Sequence, residues 1–155
     1  MLLRRCRSLL GPSLVLLVLL AIELSLSPNA SAHGPTITMG EISARVAGAD
    51  PRTERALRTL VSRELDHIRL DAAGRDESYV FSASLVRFDA NTSRDGSRAT
   101  CVVSGVLRKA SSGAIVAMMQ GRGAAEDDRD ALEGAKSRAL EAAVHGAVRH
   151  VPEAF

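Results

Sequence analysis

Alternation of apolar and polar positions is sharpest between Tyr79 and Arg122. Three runs there, Tyr79–Phe88, Ala99–Lys109 and Ala114–Arg122, change side-chain character at every second residue, which predicts β-strands. The odd positions are Tyr79, Phe81, Ala83 and Leu85, then Cys101, Val103, Gly105 and Leu107, then Ile115, Ala117, Met119 and Gly121. Large and small apolar groups mixed in this way suit a sheet face covered by helices. The even positions mix Val80, Val86, Phe88, Val102, Val106, Val116 and Met118 with serines, Gln120 and arginines, so the second face is of intermediate polarity. Asp89–Arg98 (DANTSRDGSR) is dense in turn formers, with its tightest point at Asp95-Gly96, and reads as a loop. Ala110–Gly113 is a shorter turn, with Gly113 available for positive φ. Connections this short make the three strands antiparallel neighbours.

A different period flanks them. Leu57, Leu60, Val61, Leu65 and Ile68 form one apolar stripe after Asp50-Pro51, an N-cap acceptor followed by the residue that fits a first helical turn. The pattern predicts a helix over Pro51–Ile68, followed by a polar loop, Asp71–Glu77. A second helix is predicted from Asp127-Asp128, whose carboxylates suit its positive end, through Arg129–His150, before Pro152 stops it. Its stripe is Leu132, Ala135, Ala139, Ala143 and Ala147 with Leu140, Val144, Val148 and Val151, small enough for the helix to lie close on the sheet. Ahead of everything, Ile37, Met39, Ile42, Ala44 and Val46 predict a strand with a bulge at Gly40-Glu41. The sum is an α+β fold, β-α-β-β-β-α: a four-stranded, mainly antiparallel sheet with two helices on one face.

The first 32 residues are of another kind. Arg4, Arg5 and Arg7 precede the apolar run Leu14–Ile22, and the stretch ends on Ala30-Ser31-Ala32, the pattern of a secretory signal peptide. The apolar run, nine residues or about fourteen if counted from Leu9 across Gly11-Pro12, falls short of the ~20 needed to span a bilayer. The domains expected are therefore a signal peptide, 1–32, and a single α+β domain, 33–155, with no transmembrane segment after cleavage. Removing Arg4, Arg5, Arg7 and Glu23 leaves equal numbers of basic and acidic side chains, so the +2 charge of the whole chain resides in the signal. With no basic block, one tyrosine and three phenylalanines, the exported part has no platform for nucleic acid.

Candidate chemistry is sparse. Cys101 is the one cysteine of the exported part and reads as a small buried hydrophobe. After cleavage at Ala32, His33 would be amino-terminal, and its α-amine and imidazole could hold Cu(II); a periplasmic copper-binding protein is the alternative reading. Glu141 and His145 stand one turn apart, two ligands at most, with His150 turned away. His67 suits the negative end of the first helix. Gly121-Arg122-Gly123 resembles a phosphate loop, but Glu126, Asp127 and Asp128 put negative charge where the phosphate would sit. Asn91-Thr92-Ser93 matters as a glycosylation sequon only in a eukaryotic secretory pathway, and the arginine- and alanine-rich composition is of bacterial type. No G-x-S-x-G, H-E-x-x-H or paired-cysteine motif is present. No cofactor and no enzymatic activity are expected, with a small exported hydrolase kept only as a formal third option.

The strands YVFSASLVRF and TCVVSGVLRKASSGAIVAMMQGRGAAE, followed by an alanine-rich helix, resemble the small α/β domains of bacterial envelope proteins. These include the amino-terminal domain of TolB, lipoprotein activators of cell-wall synthases and the curli-secretion channel protein; Ser112-Gly113 and Gly121–Ala125 carry the likeness, which also extends to uncharacterised secreted proteins of myxobacteria. There is no lipobox cysteine. The resemblance implies an exported, non-enzymatic interaction or assembly module, periplasmic or secreted, whose partner is an envelope protein or a second copy. Strand parity supplies the surface: Val86, Phe88, Val102, Val106, Val116 and Met118 form an apolar patch on the even face, fringed by Ser82, Ser84, Ser104, Arg108, Gln120 and Arg122. Exported protein should begin at His33. Amino-terminal sequencing that finds Met1 in the envelope fraction would reject cleavage, and a start elsewhere would remove the copper reading.

Overall fold

A computed structural model describes residues 35–68, 70 and 77–155, which belong to the unit His33–Phe155. Its elements are β1 (Thr36–Ser43), α1 (Pro51–Asp66), β2 (Ser78–Ser93), β3 (Gly96–Lys109), β4 (Ile115–Asp127) and α2 (Leu132–Val148), ending in a 3-10 turn, Pro152–Ala154. The strands lie in the order β1-β2-β3-β4, with β1 parallel to β2 and the other pairs antiparallel. The parallel pair follows from α1, which carries the chain back across the sheet between β1 and β2. This is the α+β architecture read from the sequence.

Helix α1 starts where its cap is. The Asp50 carboxylate accepts from the Thr53 amide (2.7 Å), and the Thr53 hydroxyl accepts from the Asp50 amide (3.3 Å), closing a reciprocal capping box ahead of Pro51. These hydrogen bonds stabilise the ionised Asp50 and hold its pKa below the usual value. Leu57 and Val61 are fully buried, with Leu60, Leu65 and Ile68 packed at the margin. At the other end His67 sets Nδ1 2.6 Å from the Arg63 carbonyl, as its position at the helix's negative pole suggested.

Helix α2 lies against β4 backbone to backbone. A Cβ on Gly121 would fall 1.8 Å from the Ala143 carbonyl oxygen, and one on Gly123 2.0 Å from that of Ala139. The contacts repeat with Ala147 and Gly146 above Gly121, so the small residues of both elements face each other over two helical turns. Ala135, Ala139, Ala143 and Ala147 are completely buried there, while Leu140, Val144 and Val148 fill the space toward α1. Gly105 provides the same clearance on β3, where the Phe81 ring lies over it. The carboxy-terminal turn closes the core, its Phe155 ring meeting Tyr79 edge to face at 4.7 Å.

The bulge predicted in β1 is present between Met39 and Ile42. A second one was not foreseen: Leu85 pairs with Val103 but Arg87 with Val102, leaving Val86 as an extra residue in β2. Beyond it every side chain changes face. Phe88 therefore pairs with Cys101 and is buried at 7% exposure on the helix side, so it does not belong to the even-face patch. Asp89–Arg98 is not a loop either. The ladder runs on to Ser93 opposite Gly96, around a two-residue turn at Arg94-Asp95, and Asn91-Thr92-Ser93 lies in the strand. Helix α2 begins at Leu132 because β4 continues to Asp127, paired with Ser97. The first strand stops at Ser43, short of Ala44 and Val46, and α1 stops at Asp66 rather than Ile68. The signal segment 1–32, His33 and residues 71–76 of the expected loop lie outside the described residues.

Gly123→Ala should cost about 1–3 kcal/mol, since its Cβ has backbone rather than a movable side chain in its way. Ala124→Ser, on the exposed neighbouring position, should stay within roughly 0.5 kcal/mol. Equal losses in denaturant unfolding would mean that α2 is not seated on this strand.

Candidate interaction face

The helices cover one side of the sheet, and the strand register lays out the other side as rows. Thr38, Val80, Arg108 and Ile115 form the first, with Val116 as the extra residue at a third bulge. Ser82, Val106 and Met118 form the second, beside Gly40; Ser43, Ser84, Ser104 and Gln120 the third; Arg87, Val102 and Arg122 the fourth, next to Val86. Asp89, Thr100 and Ala124, then Asn91, Arg98 and Glu126, complete it.

Five of the six residues expected in the patch are on this face: Val86, Val102, Val106, Val116 and Met118. Met118 is 71% exposed and Val86 51%, whereas the central valines are half-buried between their neighbours. Two residues outside the expected six take the place of Phe88. Val80 joins the first row, and Ile115, assigned to the covered face, is 56% exposed because the bulge at Val116 shifts it. The apolar part is thus concentrated in the first two rows, at the end of the sheet nearest the Lys109–Ile115 turn. The polar groups are partly occupied: the Ser43 hydroxyl donates to Ser84 Oγ (3.1 Å), and Thr38 Oγ1 to the Tyr79 carbonyl (3.1 Å).

Charge on the face is uneven. Arg87 pairs with Asp89, and Arg98 with Glu126. Arg122 meets only the Gln120 amide oxygen, at 3.3 Å, and Arg108 has no carboxylate partner among the described residues. Both arginines are exposed.

The other candidate groups are spoken for elsewhere. Glu141 does not share a ligand with His145: it takes Arg63 of α1 (2.5 Å), while His145 Nδ1 lies 2.9 Å from Glu64 Oε2, so the two residues tie the helices together. His150 faces Glu153 at 3.0 Å. Glu77 receives Lys109 Nζ (2.8 Å) and the Tyr79 hydroxyl, which hold its carboxyl below the usual range and raise the tyrosine. Asp127 accepts from the Asp128 amide (3.0 Å) and from Arg138, and its pKa is lowered for those reasons. No set of three or more His, Cys, Asp or Glu side chains among the described residues could hold a metal ion, and His33 is not one of those residues. Gly121 and Gly123 lie within a strand and serve the helix contact, not a phosphate. A cleft of about 220 Å³ between the start of α1 and the middle of α2 is floored by Phe88 and Leu140 and rimmed by Arg52, Glu133 and Lys136. Its Lys136 and Glu133 pair with each other at 2.7 Å, an i, i+3 ion pair on α2. Among the described residues no helix is long and apolar enough to cross a membrane.

The fold is similar to that of a Xanthomonas campestris protein of the family model DUF330, at 18% identity over 82% of this chain and 89% of that one, with a TM-score of 0.58. It is also similar to PelC of Paraburkholderia phytofirmans, a dodecamer, at 14% identity over 79% and 90% of the two chains and a TM-score of 0.51. A candidate lipoprotein from Caulobacter crescentus, 20% identical over 76% of this chain and 85% of that one, superposes at 0.46 and bears no weight. The likeness is one of fold. No family model matches the chain, and no curated protein is significantly similar to it in sequence.

Cys101 is almost fully enclosed, and burial pushes its thiol up to about 12. The thiolate that reacts with alkylating agents is then negligible near pH 8. Native protein should resist iodoacetamide and label stoichiometrically once unfolded; rapid labelling of the native form would place the thiol at the surface.

Proposed function

We propose that the protein is an exported, non-enzymatic interaction module of the bacterial cell envelope, periplasmic or secreted, which binds through the uncovered face of its sheet. The observation that carries this reading is the cluster of half-buried Val80, Val106 and Val116 with exposed Ile115 and Met118, bordered by serines and arginines. An apolar centre with a polar rim is how contact surfaces are built, and such patches are costly to leave exposed without use. The fold shared with PelC, which assembles as a dodecamer, supports an assembly role, and the secretory pattern of the first 32 residues supports the envelope setting. The finer kinship with TolB amino-terminal and cell-wall-synthase activator domains belongs to this reading too. Its non-enzymatic character is supported by the described histidines, each engaged with a carboxylate or a carbonyl rather than with a hydroxyl or thiol.

Val106 is the centre of the patch, half-buried by neighbours but open above. Val106→Asp should leave the domain folded, because the carboxylate is wet when the face is free. It should abolish the cross-linked assembly that the unaltered protein forms in its host, with itself or with another envelope protein. If the variant unfolds, the face is core; if it folds and the assembly persists, binding lies elsewhere.

A further inference from the structure

Resting on that reading, we infer that the open face takes an amphipathic helix of a partner protein whose apolar stripe is bordered by carboxylates, and not a second copy of this sheet. The charge pattern selects the partner. Arg108 and Arg122 flank the apolar rows without carboxylate partners among the described residues, and covering them unpaired would be costly. The first four rows hold no carboxylate on β2, β3 or β4, and Glu41 sits at the bulge of β1 on the opposite edge. The acids that do face outward, Asp89 and Glu126, already pair with Arg87 and Arg98 at the far end of the sheet. Asp89 is eight strand positions from the level of Arg108, about 27 Å at ~3.4 Å per residue.

A two-fold copy therefore fails on one count or the other. Laying apolar row on apolar row sets Arg108 and Arg122 over rows without acids. Sliding the copies until Arg108 lies over Asp89 sets Val106 and Met118 over Arg87, Val102 and Arg122, facing two arginines, and draws Asp89 away from Arg87. A helix carrying its own carboxylates meets both demands. Its diameter of about 10 Å fits within four strands spaced ~4.8 Å apart, and four turns, about 21 Å, span the first four rows. A membrane surface is the weaker match, because the face presents valines, one isoleucine and one methionine but no aromatic or leucine side chain to insert.

The test uses two synthetic amphipathic helices of about 18 residues with one leucine stripe, flanked in one by glutamates and in the other by lysines, titrated against the exported protein. The glutamate peptide should bind at least about tenfold more tightly, and the double variant Arg108→Glu/Arg122→Glu, with its thermal melt unchanged, should reverse the order. Equal affinities, binding of neither peptide, or a preference that survives the double variant would overturn the inference. So would a Val106-dependent homodimer that excludes both peptides, or arginine-dependent binding to phosphatidylglycerol vesicles with no binding to the glutamate peptide. These failures would leave the interaction-face reading standing, since that reading falls on Val106→Asp alone.

Discussion

The contact between Gly121 and Gly123 of β4 and the backbone of α2 fixes the rest of the molecule. A Cβ at either position would fall 1.8 or 2.0 Å from a helix carbonyl oxygen, so glycine there is what lets the helix sit directly on the strand. Once α2 lies over β4 and β3, the space toward β1 is left for α1, and Leu57 and Val61 share one buried core with Leu140 and Val144. The helix pair is then joined at its rim by Arg63–Glu141 and Glu64–His145. Exposed pairs of this kind add at most about 1 kcal/mol each, so they orient the helices more than they hold them. The closeness of the glycine contact also explains why α2 is nearly a polyalanine: any larger side chain at Ala139 or Ala143 would lift it from the strand.

Most of this was legible in the sequence because periodicity reports burial. Two-residue alternation gave the central strands, and the alanine stripe with the glycines gave the close helix. Phe88 went wrong because parity counts residues, while the sheet counts ladder positions, and Val86 is in the first count but not the second. A signal was available. An open-face Phe88 would turn Arg87 and Asp89, its neighbours on either side, into the covered face, where two charges would need partners that the apolar helix stripes do not offer. Reading those charges first would have demanded a bulge at Val86, as Gly40-Glu41 demanded one in β1.

The hairpin between β2 and β3 and the start of α2 share another cause. Turn-forming composition in Asn91–Arg98 marks solvent exposure at the sheet's end as well as a turn, and a paired strand can tolerate both. Thr92 and Ser97 meet there through their hydroxyls (3.1 Å), and Ser97 Oγ donates to the Arg129 carbonyl (2.7 Å), tying the hairpin to the segment that enters α2. Asp127 illustrates how an electrostatic reading can be right about place and wrong about structure. Its carboxylate does lie by the first turn of α2, 3.0 Å from where a Gly134 Cβ would stand, but it arrives there from the end of β4. The acid suits the helix's positive end from outside the helix.

The open face follows from the same economy of small residues. One glycine-lined strand and one alanine-lined helix make a thin, tight layer on one side only, and the described residues hold no third α-helix for the other. What remains there is graded, from bare valines and Met118 through a serine row to paired charges. Part of the polar border is already satisfied. Ser43 and Thr38 have donated their hydroxyl protons within the sheet, so a partner need not satisfy those two. The arginines differ in kind. A hydroxyl can turn to a neighbour's carbonyl, but Arg108 and Arg122 are donors only, and the rows they sit in offer no anion. Whatever covers the valines must therefore come with acceptors at the level of those two residues, which makes the face selective as well as adhesive.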